Sequence, residues 1–422
     1  MKQFTVPGFL ITSNLYEVNT RQYTPEGTFR AFMKHLPRLQ QMGVEILWFM
    51  PIYPIGFQGR KGTLGSYYSI KNFKEVNPEF GSLEDFKAMI GMIHGLGMKV
   101  IMDWVANHAA WDNNWTLTNP DFFERDDQGN FKTPYDWTDV IQINHANAHQ
   151  QEAMIDAMAY WIRECNIDGF RADLAHLTPL EFWIKARTHL DKLKPNLVWL
   201  AETEERNYHD AFDISFTWKW MHATEDFLKS DGSISTLRSL LAGSSEEFGN
   251  ELRMYYTSNH DENSWNGSEY EKYGVYAKAL AVFANTYVHS VPLIYSGQEA
   301  PCQKRLHFFD KDEIDWSEKP ALQSFYTVLL NLRKQNPVFR INGSLAFIES
   351  SQNVLAFIRS VDDHSIIVVL NLSRYRVDEV LHLSEASGIY NNIFTNELLE
   401  LDQRLSISLE VGEFLVLAKV NP

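Results

Sequence analysis

The first three quarters of the chain repeat one pattern, a short apolar run followed by a longer amphipathic stretch. Apolar residues three and four positions apart give a helix one buried face, whereas short continuous apolar runs are typical of strands covered on both sides. Strands that alternate with helices predict a parallel α/β architecture, because parallel neighbours need a crossover connection. Eight runs are predicted to be strands: 9–15, 44–49, 99–104, 168–172, 197–201, 211–215, 253–257 and 292–295.

The predicted helices lie at 28–42, 83–96, 151–164, 179–193, 272–288 and 321–335. Ser82 stands three residues before Asp85, which is the spacing of a capped helix start. Eight strands separated by such stretches predict a closed (β/α)₈ barrel, that is, a TIM barrel. A doubly wound open sheet has the same periodicity and is the alternative fold.

Two segments depart from a minimal barrel. Residues 108–147 form a long polar stretch rich in Asn, Asp, Trp and Pro, which predicts a short inserted domain over the barrel mouth. From about residue 337 the hydrophobic period changes to two, which predicts an antiparallel β-sandwich at 337–422. The predicted barrel then comprises residues 1–107 and 148–336.

Charge and hydropathy exclude several classes of partner. The chain has 54 acidic and 38 basic residues, for a formal net charge of −16. Such an acidic surface disfavours nucleic acid and anionic membranes, which attract clustered Lys and Arg, but is compatible with a neutral sugar. No run has the length to span a bilayer, and the first residues lack the apolar core of a signal peptide, so we expect a cytoplasmic protein. The oligomeric state stays open.

Charged residues cluster where the predicted strands end. Barrel enzymes carry their reactive groups at the carboxyl ends of the strands. Three carboxylates from the fourth, fifth and seventh strands can therefore face one cavity, an arrangement that repulsion makes costly and that favours a functional site. The residues at these ends are Asp103, Arg171, Asp173, Glu202, His260 and Asp261.

Two of these carboxylates suit the cleavage of a glycosidic bond with retention, which needs a nucleophile and an acid about 5–5.5 Å apart. Arg171 lies two residues before Asp173 and thus on the same side of the strand, where it can keep Asp173 ionised as the nucleophile. Glu202 follows the apolar run LVWLA, and desolvation there would raise its pKa, as a general acid needs. Asp261 remains to stabilise positive charge in the transition state.

At these residues the sequence resembles the α-amylase family of barrel glycosidases. The four segments DWVANH, GFRADLAH, LAETEE and SNHDEN resemble four family motifs in the family's order. The resemblance implies an α-glucan or maltooligosaccharide substrate, with Asp173 as nucleophile, Glu202 as proton donor and Asp261 as transition-state stabiliser. It also implies a subsite for the sugar on the non-reducing side of the cut. We expect that subsite to be formed by Tyr68, His108, Arg171 and His260, and include Asp103 among the substrate-binding residues.

The sequence departs from the family at a metal site. Many members bind a structural calcium through an acidic residue near the end of the inserted domain, where this chain has Gln142. An amide is a weaker ligand than a carboxylate for a hard cation. Asn107 remains as a candidate calcium ligand, and no other cofactor is expected.

Other functions remain open at this stage. A transglycosylase uses the same carboxylates but passes the glycosyl group to a sugar instead of water, so the motifs do not separate the two activities. A catalytically silent, glycan-binding homologue is a further alternative, although such proteins tend to lose a catalytic carboxylate and this chain keeps three. Chain length, linkage, and endo or exo action depend on loop shapes that the sequence does not reveal.

Overall fold

The computed structural model describes residues 3–230, 232–316, 320–340, 343–350 and 353–420. Its strands are β1 (Leu15–Val18), β2 (Ile46–Phe49), β3 (Lys99–Trp104), β4 (His108–Ala110), β5 (Val140–Gln142), β6 (Gly169–Ala172), β7 (Val198–Ala201), β8 (Ile214–Phe216), β9 (Leu252–Met254), β10 (Leu293–Tyr295), β11 (Ser344–Ile348), β12 (Val354–Val361), β13 (His364–Asn371), β14 (Val377–Asn392), β15 (Leu398–Leu409) and β16 (Phe414–Lys419).

Its helices are α1 (Thr20–Tyr23), α2 (Phe29–Met33), α3 (Leu36–Met42), α4 (Leu83–Gly95), α5 (Trp115–Thr118), α6 (Ala148–Cys165), α7 (Leu180–Leu190), α8 (Trp218–Lys229), α9 (Ile234–Phe248), α10 (Glu269–Tyr273), α11 (Ala277–Thr286) and α12 (Gln323–Gln335). The N-terminus of α4 has the capping box that the sequence predicts, because Ser82 and Asp85 accept each other's backbone N–H groups. None of the helices in the described ranges combines the length and apolar composition needed to cross a bilayer.

Eight parallel strands form the inner sheet, in the order β10, β1, β2, β3, β6, β7, β8, β9. Backbone hydrogen bonds also join the two ends of this row, from Arg253 N to His289 O (2.9 Å) and from Leu293 N to Tyr255 O (3.1 Å). The sheet therefore closes on itself. The predicted (β/α)₈ barrel is confirmed, and the open-sheet alternative is wrong.

Several predicted boundaries were wrong. The predicted strand at 9–15 is a 3₁₀ turn at Gly8–Ile11, and β1 begins only at Leu15. Leu10 packs in the same apolar cluster as Leu15, so its hydrophobicity reflects burial rather than sheet pairing. The predicted helix at 28–42 is divided into α2 and α3. Pro37 explains the break, since it has no N–H to offer to the carbonyl four residues earlier, at Met33.

The tail forms one six-stranded antiparallel sheet in the order β11, β12, β13, β16, β14, β15. Its two halves share a core, in which Ile367 and Val369 of β13 cluster with Leu381 of β14 and Leu405 of β15. The predicted antiparallel sandwich is therefore confirmed. Within 108–147, β4 and β5 pair as a small antiparallel ribbon. The domain boundaries proposed from the sequence stay predictions.

Candidate active site

A cavity of about 420 Å³ opens at the carboxyl ends of the barrel strands. Asp173 directly follows β6 and Glu202 directly follows β7, while Asp261 lies in the segment after β9. All three line the cavity, together with Tyr68 and His108. Distant parts of the sequence thus bring their polar side chains to one end of the barrel.

Arg171 joins the carboxylates of this cavity. Its Nη1 lies 3.0 Å from Asp173 Oδ1 and 2.8 Å from Asp103 Oδ1, and its Nη2 lies 2.8 Å from Glu202 Oε2. The guanidinium is fully buried. Because its terminal nitrogens are close neighbours in a rigid plane, Asp173 and Glu202 must lie on one side of the cavity and near each other. Retaining cleavage needs two carboxyl groups in this relation.

Burial shifts the pKa of both carboxyl groups upward. It raises the pKa of Glu202 to about 7, with Arg171 opposing the shift and the charge of Asp261 adding to it. Burial also raises the pKa of Asp173 well above its ordinary value, and Arg171 acts in the opposite direction. Glu202 therefore has the pKa of a general acid that works near neutrality. For Asp173, the ion pair with Arg171 is the main interaction that favours the carboxylate form.

His260 lies between two carboxylates and beside Tyr68. Its Nδ1 is 2.5 Å from Glu17 Oε1, and its Nε2 is 2.7 Å from Tyr68 Oη and 3.2 Å from Asp261 Oδ2. Burial alone would lower the pKa of His260, but Asp261 and Glu17 raise it well above its usual value. Burial would raise the pKa of Asp261, but the charge of His260 leaves it lowered. Asp261 is thus stabilised as an anion at the edge of the cavity.

Asp103 lies beneath the cavity. Its side chain is fully buried, and its Oδ2 accepts hydrogen bonds from Tyr68 Oη and Trp48 Nε1, each at 3.1 Å. Its Oδ1 accepts from Arg171. In this position Asp103 orients Tyr68 and Arg171 and does not reach the cavity surface, so we assign it a positioning role. His108, in contrast, does line the cavity, and burial lowers its pKa to about 4, which leaves a neutral imidazole for hydrogen bonding.

The backbone after the candidate nucleophile also contributes to the site. Leu174 has a φ of 40°, in the left-handed region that non-glycine residues rarely adopt. This turn directs the N–H of Leu174 at Glu202 Oε2, 2.7 Å away. Such a conformation costs roughly 1–3 kcal/mol and occurs mainly where a site needs it. Nothing in the residue type of Leu174 signalled this role.

Sequence reasoning missed several residues around the cavity. Glu17 is fully buried in β1 and binds His260, and its position as a charged residue within an apolar strand was a usable signal. The others lie on loops, where no periodic pattern distinguishes them from residues without a role in the site. They are Lys61, Ser66, Trp137, Asp139, Phe308 and Phe309.

The residues near Asn107 do not fit a calcium site. Its Oδ1, the atom that a cation would use, accepts a hydrogen bond from Gln142 Nε2 at 2.9 Å. Calcium takes six to eight oxygen ligands, usually with carboxylates among them. Within the described ranges no three His, Cys, Asp or Glu side chains group in a way that could hold a metal ion.

Comparison with known proteins identifies the family of the chain. The sequence profile of the α-amylase catalytic domain matches residues 12–144. A noncanonic maltogenic α-amylase from Thermotoga neapolitana is 31% identical and has a TM-score of 0.89, with 98% of this chain and 100% of that chain covered. An α-amylase from Lactobacillus plantarum is 27% identical with a TM-score of 0.86, with 98% and 100% covered. The α-amylase 2 of Dictyoglomus thermophilum is 24% identical over 401 residues, which cover 88% of this chain and 68% of the relative. The chain belongs to the α-amylase family of glycoside hydrolases.

Proposed function

We propose that this enzyme hydrolyses α-1,4-glucosidic bonds of maltooligosaccharides through a covalent glycosyl-enzyme intermediate. The observation that carries the proposal is the contact of one buried guanidinium, that of Arg171, with both Asp173 and Glu202. Two carboxyl groups that share one cation in one cavity can act on the same sugar ring. The pKa of about 7 at Glu202 supports its assignment as the acid.

In the first step, an Asp173 oxygen forms a bond to the anomeric carbon while the bond from that carbon to the glycosidic oxygen breaks. Glu202 gives its proton to the departing oxygen. In the second step, the Glu202 carboxylate takes a proton from water as the water oxygen attacks the anomeric carbon and Asp173 departs. Two displacements on opposite faces restore the original anomeric configuration.

The neighbouring groups support this reaction electrostatically. Positive charge develops on the sugar ring in the transition state, and the anionic Asp261 at the cavity edge would stabilise it. Tyr68 lines the cavity beside that charge and would bind ring hydroxyls, whereas His260 is buried behind it and would hold Tyr68 and Asp261 in place. Tyr68 stacks on His260 with ring centroids 5.4 Å apart, which holds both groups in place before substrate enters.

The relatives support an α-glucan substrate, and two of them favour a second reaction. Their names include a maltogenic α-amylase and two cyclomaltodextrinases. Two further relatives are named α-1,4-glucan:maltose-1-phosphate maltosyltransferase, one in Salinibacter ruber, 27% identical over 386 residues, and one in Rhodospirillum rubrum, 29% identical over 216 residues. Transfer to a sugar is therefore the second candidate, and products longer than the substrate after incubation with maltoheptaose would favour it over hydrolysis.

Trapping of the intermediate tests the assignment of Asp173. A fluorosugar such as 5-fluoro-α-maltosyl fluoride should form a long-lived adduct, and peptide mass spectrometry should locate it on Asp173. We expect Asp173→Asn to lower kcat/KM for maltotriose roughly 10³-fold or more and to abolish the adduct. Asp127→Asn, at an exposed aspartate outside the cavity, is the matched control and should keep wild-type activity. An adduct on another residue, or a first-formed product of β configuration by NMR, would contradict the mechanism.

A further inference from the structure

We propose that an ion pair between Lys61 and Asp139 closes the cavity on the side of the retained sugar, so that the enzyme acts from the non-reducing end of α-glucan chains. Lys61 Nζ lies 2.9 Å from Asp139 Oδ1, and both residues line the cavity that contains Asp173 and Glu202. This inference rests on the proposed function and adds to it the part of the substrate that the site recognises.

The ion pair is part of a group of contacts that we call the wall. The wall consists of Lys61, Asp139 and the backbone contacts of Leu64 and Gly65 with Phe309. Lys61 belongs to the loop between β2 and α4, and Asp139 precedes β5 in the inserted segment. On its other side the same loop is bonded to the segment after β10, since Leu64 N and Gly65 N both donate to Phe309 O, at 3.0 and 3.2 Å. Three segments distant in sequence are thereby fastened together around one side of the cavity.

The close approach of these segments depends on Gly62. Its φ is 60°, and a Cβ at this position would lie 2.5 Å from Phe309 Cβ. Thr63 next to it donates its backbone N–H to Asp310 Oδ1 at 2.7 Å. The loop therefore lies directly against the segment after β10.

The wall is bonded to the loop that carries Tyr68, because Ser69 Oγ donates to Asp139 O at 3.0 Å. Phe308 stacks on Tyr68 with an interplanar angle of 13° and centroids 6.3 Å apart, and Trp137 packs edge-on against His108 at 5.5 Å. Glu202 instead contacts the backbone of Leu174. The leaving sugar must approach Glu202, which protonates it, so we place the sugar retained on Asp173 on the side of Tyr68 and the wall.

The size and chemistry of the closed side indicate what it binds. A volume of about 420 Å³ is near the lower end of the roughly 300–1,000 Å³ typical of small-molecule sites. The ammonium of Lys61 offers donors and the carboxylate of Asp139 offers acceptors. Free hydroxyls of a terminal glucosyl ring fit such a pair, whereas a chain that continued beyond that ring would meet the ion pair. The substrate class is thus α-glucan chains with a free non-reducing end.

End-blocked substrates test this inference. We would compare 4-nitrophenyl α-maltoheptaoside with the same compound carrying a 4,6-O-ethylidene group on its non-reducing ring, and quantify all products by chromatography. The wild-type enzyme should cleave the blocked substrate at least about 100-fold more slowly than the free one. Lys61→Ala should open the wall. It should lower the ratio of the cleavage rate of the free substrate to that of the blocked substrate at least about tenfold, and Asp139→Asn should also lower this ratio.

Lys71→Ala is the matched control. Lys71 also belongs to the β2–α4 loop and forms a cross-loop ion pair with Asp112 of the inserted segment, 3.3 Å long, but does not line this cavity. It should keep the wild-type ratio. Equal cleavage of free and blocked substrates by the wild-type enzyme would overturn the inference, and so would an unchanged ratio in both wall variants. The proposed function would survive either result if Asp173 is still labelled, whereas an unlabelled enzyme with no activity on the free substrate would refute the function itself.

Discussion

At the scale of single residues, Arg171 connects three carboxylates of the candidate site. A fully buried guanidinium is costly to desolvate, and it is retained here because Asp103, Asp173 and Glu202 surround it. It orients two carboxylates and opposes the rise in pKa that burial imposes on each. One side chain thus controls both the geometry and the protonation of the reacting pair.

The pKa of Glu202 predicts the pH dependence of the reaction. Since the first step needs protonated Glu202, we expect kcat/KM for maltotriose to fall as the pH rises through about 7, tenfold per pH unit above it. His108 does not account for a fall in kcat/KM near pH 7, because burial lowers the pKa of this residue to about 4. Stopped assays of maltotriose cleavage across the pH range measure this fall in kcat/KM directly.

α-Maltosyl fluoride is the control substrate for this prediction. Fluoride leaves without protonation, so the fall in kcat/KM above pH 7 should be absent or much weaker for it. The same fall with both substrates would show that a group other than Glu202 causes it.

At the scale of secondary-structure elements, an amide pair ties the inserted ribbon to the barrel. Gln142 at the end of β5 donates to Asn107 Oδ1, just after β3 and directly before β4. The resemblance to the family implies that many of its members hold the same region with a calcium bound by an acidic residue. We infer that the neutral hydrogen bond replaces the cation here, since a Gln side chain can supply the donor that a carboxylate lacks.

A calcium titration of stability tests this inference. We expect the wild-type Tm to change by less than about 1 °C between excess chelator and 5 mM CaCl₂, because a ligand that does not bind the folded state cannot stabilise it. Gln142→Asp should lower Tm in chelator and recover part of it with calcium. Gln142→Ala should lower Tm without any such recovery. A wild-type Tm that rises by several degrees with calcium would refute the substitution of the metal by the amide pair.

The elements also show which sequence signals were reliable. The Ser82–Asp85 spacing predicted the start of α4 because a cap is a local interaction between residues three positions apart. The predicted start of β1 was wrong because the sequence of residues 9–15 does not distinguish an apolar residue that is buried outside the sheet from one that is paired in a strand. Leu10 belongs to the first kind.

At the scale of the whole molecule, a buried arginine joins the barrel to the C-terminal sheet. Arg359 of β12 donates to Thr286 O at 3.1 Å and to Val338 O at 2.6 Å. Arg333 of α12 donates to Asn285 O and Ser290 O, and these bonds lie within the barrel. Thr286 and Asn285 are the last residues of α11, where carbonyl groups lack intrahelical partners and the helix dipole favours a cation. Although burial lowers the pKa of Arg359 to about 10, it remains protonated at neutral pH.

We expect Arg359→Met to lower the free energy of unfolding by about 2–4 kcal/mol, because it leaves buried carbonyl groups without donors. Urea unfolding followed by tryptophan fluorescence measures the change. Arg404→Met, at an exposed arginine of β15 in the same sheet, should change it by less than about 0.5 kcal/mol. Equal effects of the two substitutions would contradict a role for Arg359 in joining the two parts.

The sequence by itself determined the barrel, the antiparallel tail and the cluster of charged residues at strand ends. Hydrophobic periods and motif residues are local, and every strand of a parallel barrel delivers its carboxyl end to the same rim. Only the tertiary structure decided how those residues act. Burial beneath the cavity made Asp103 a positioning residue, and three loops that meet in space created the Lys61–Asp139 wall. Burial and contacts between distant segments arise from packing, and no local pattern in the chain encodes them.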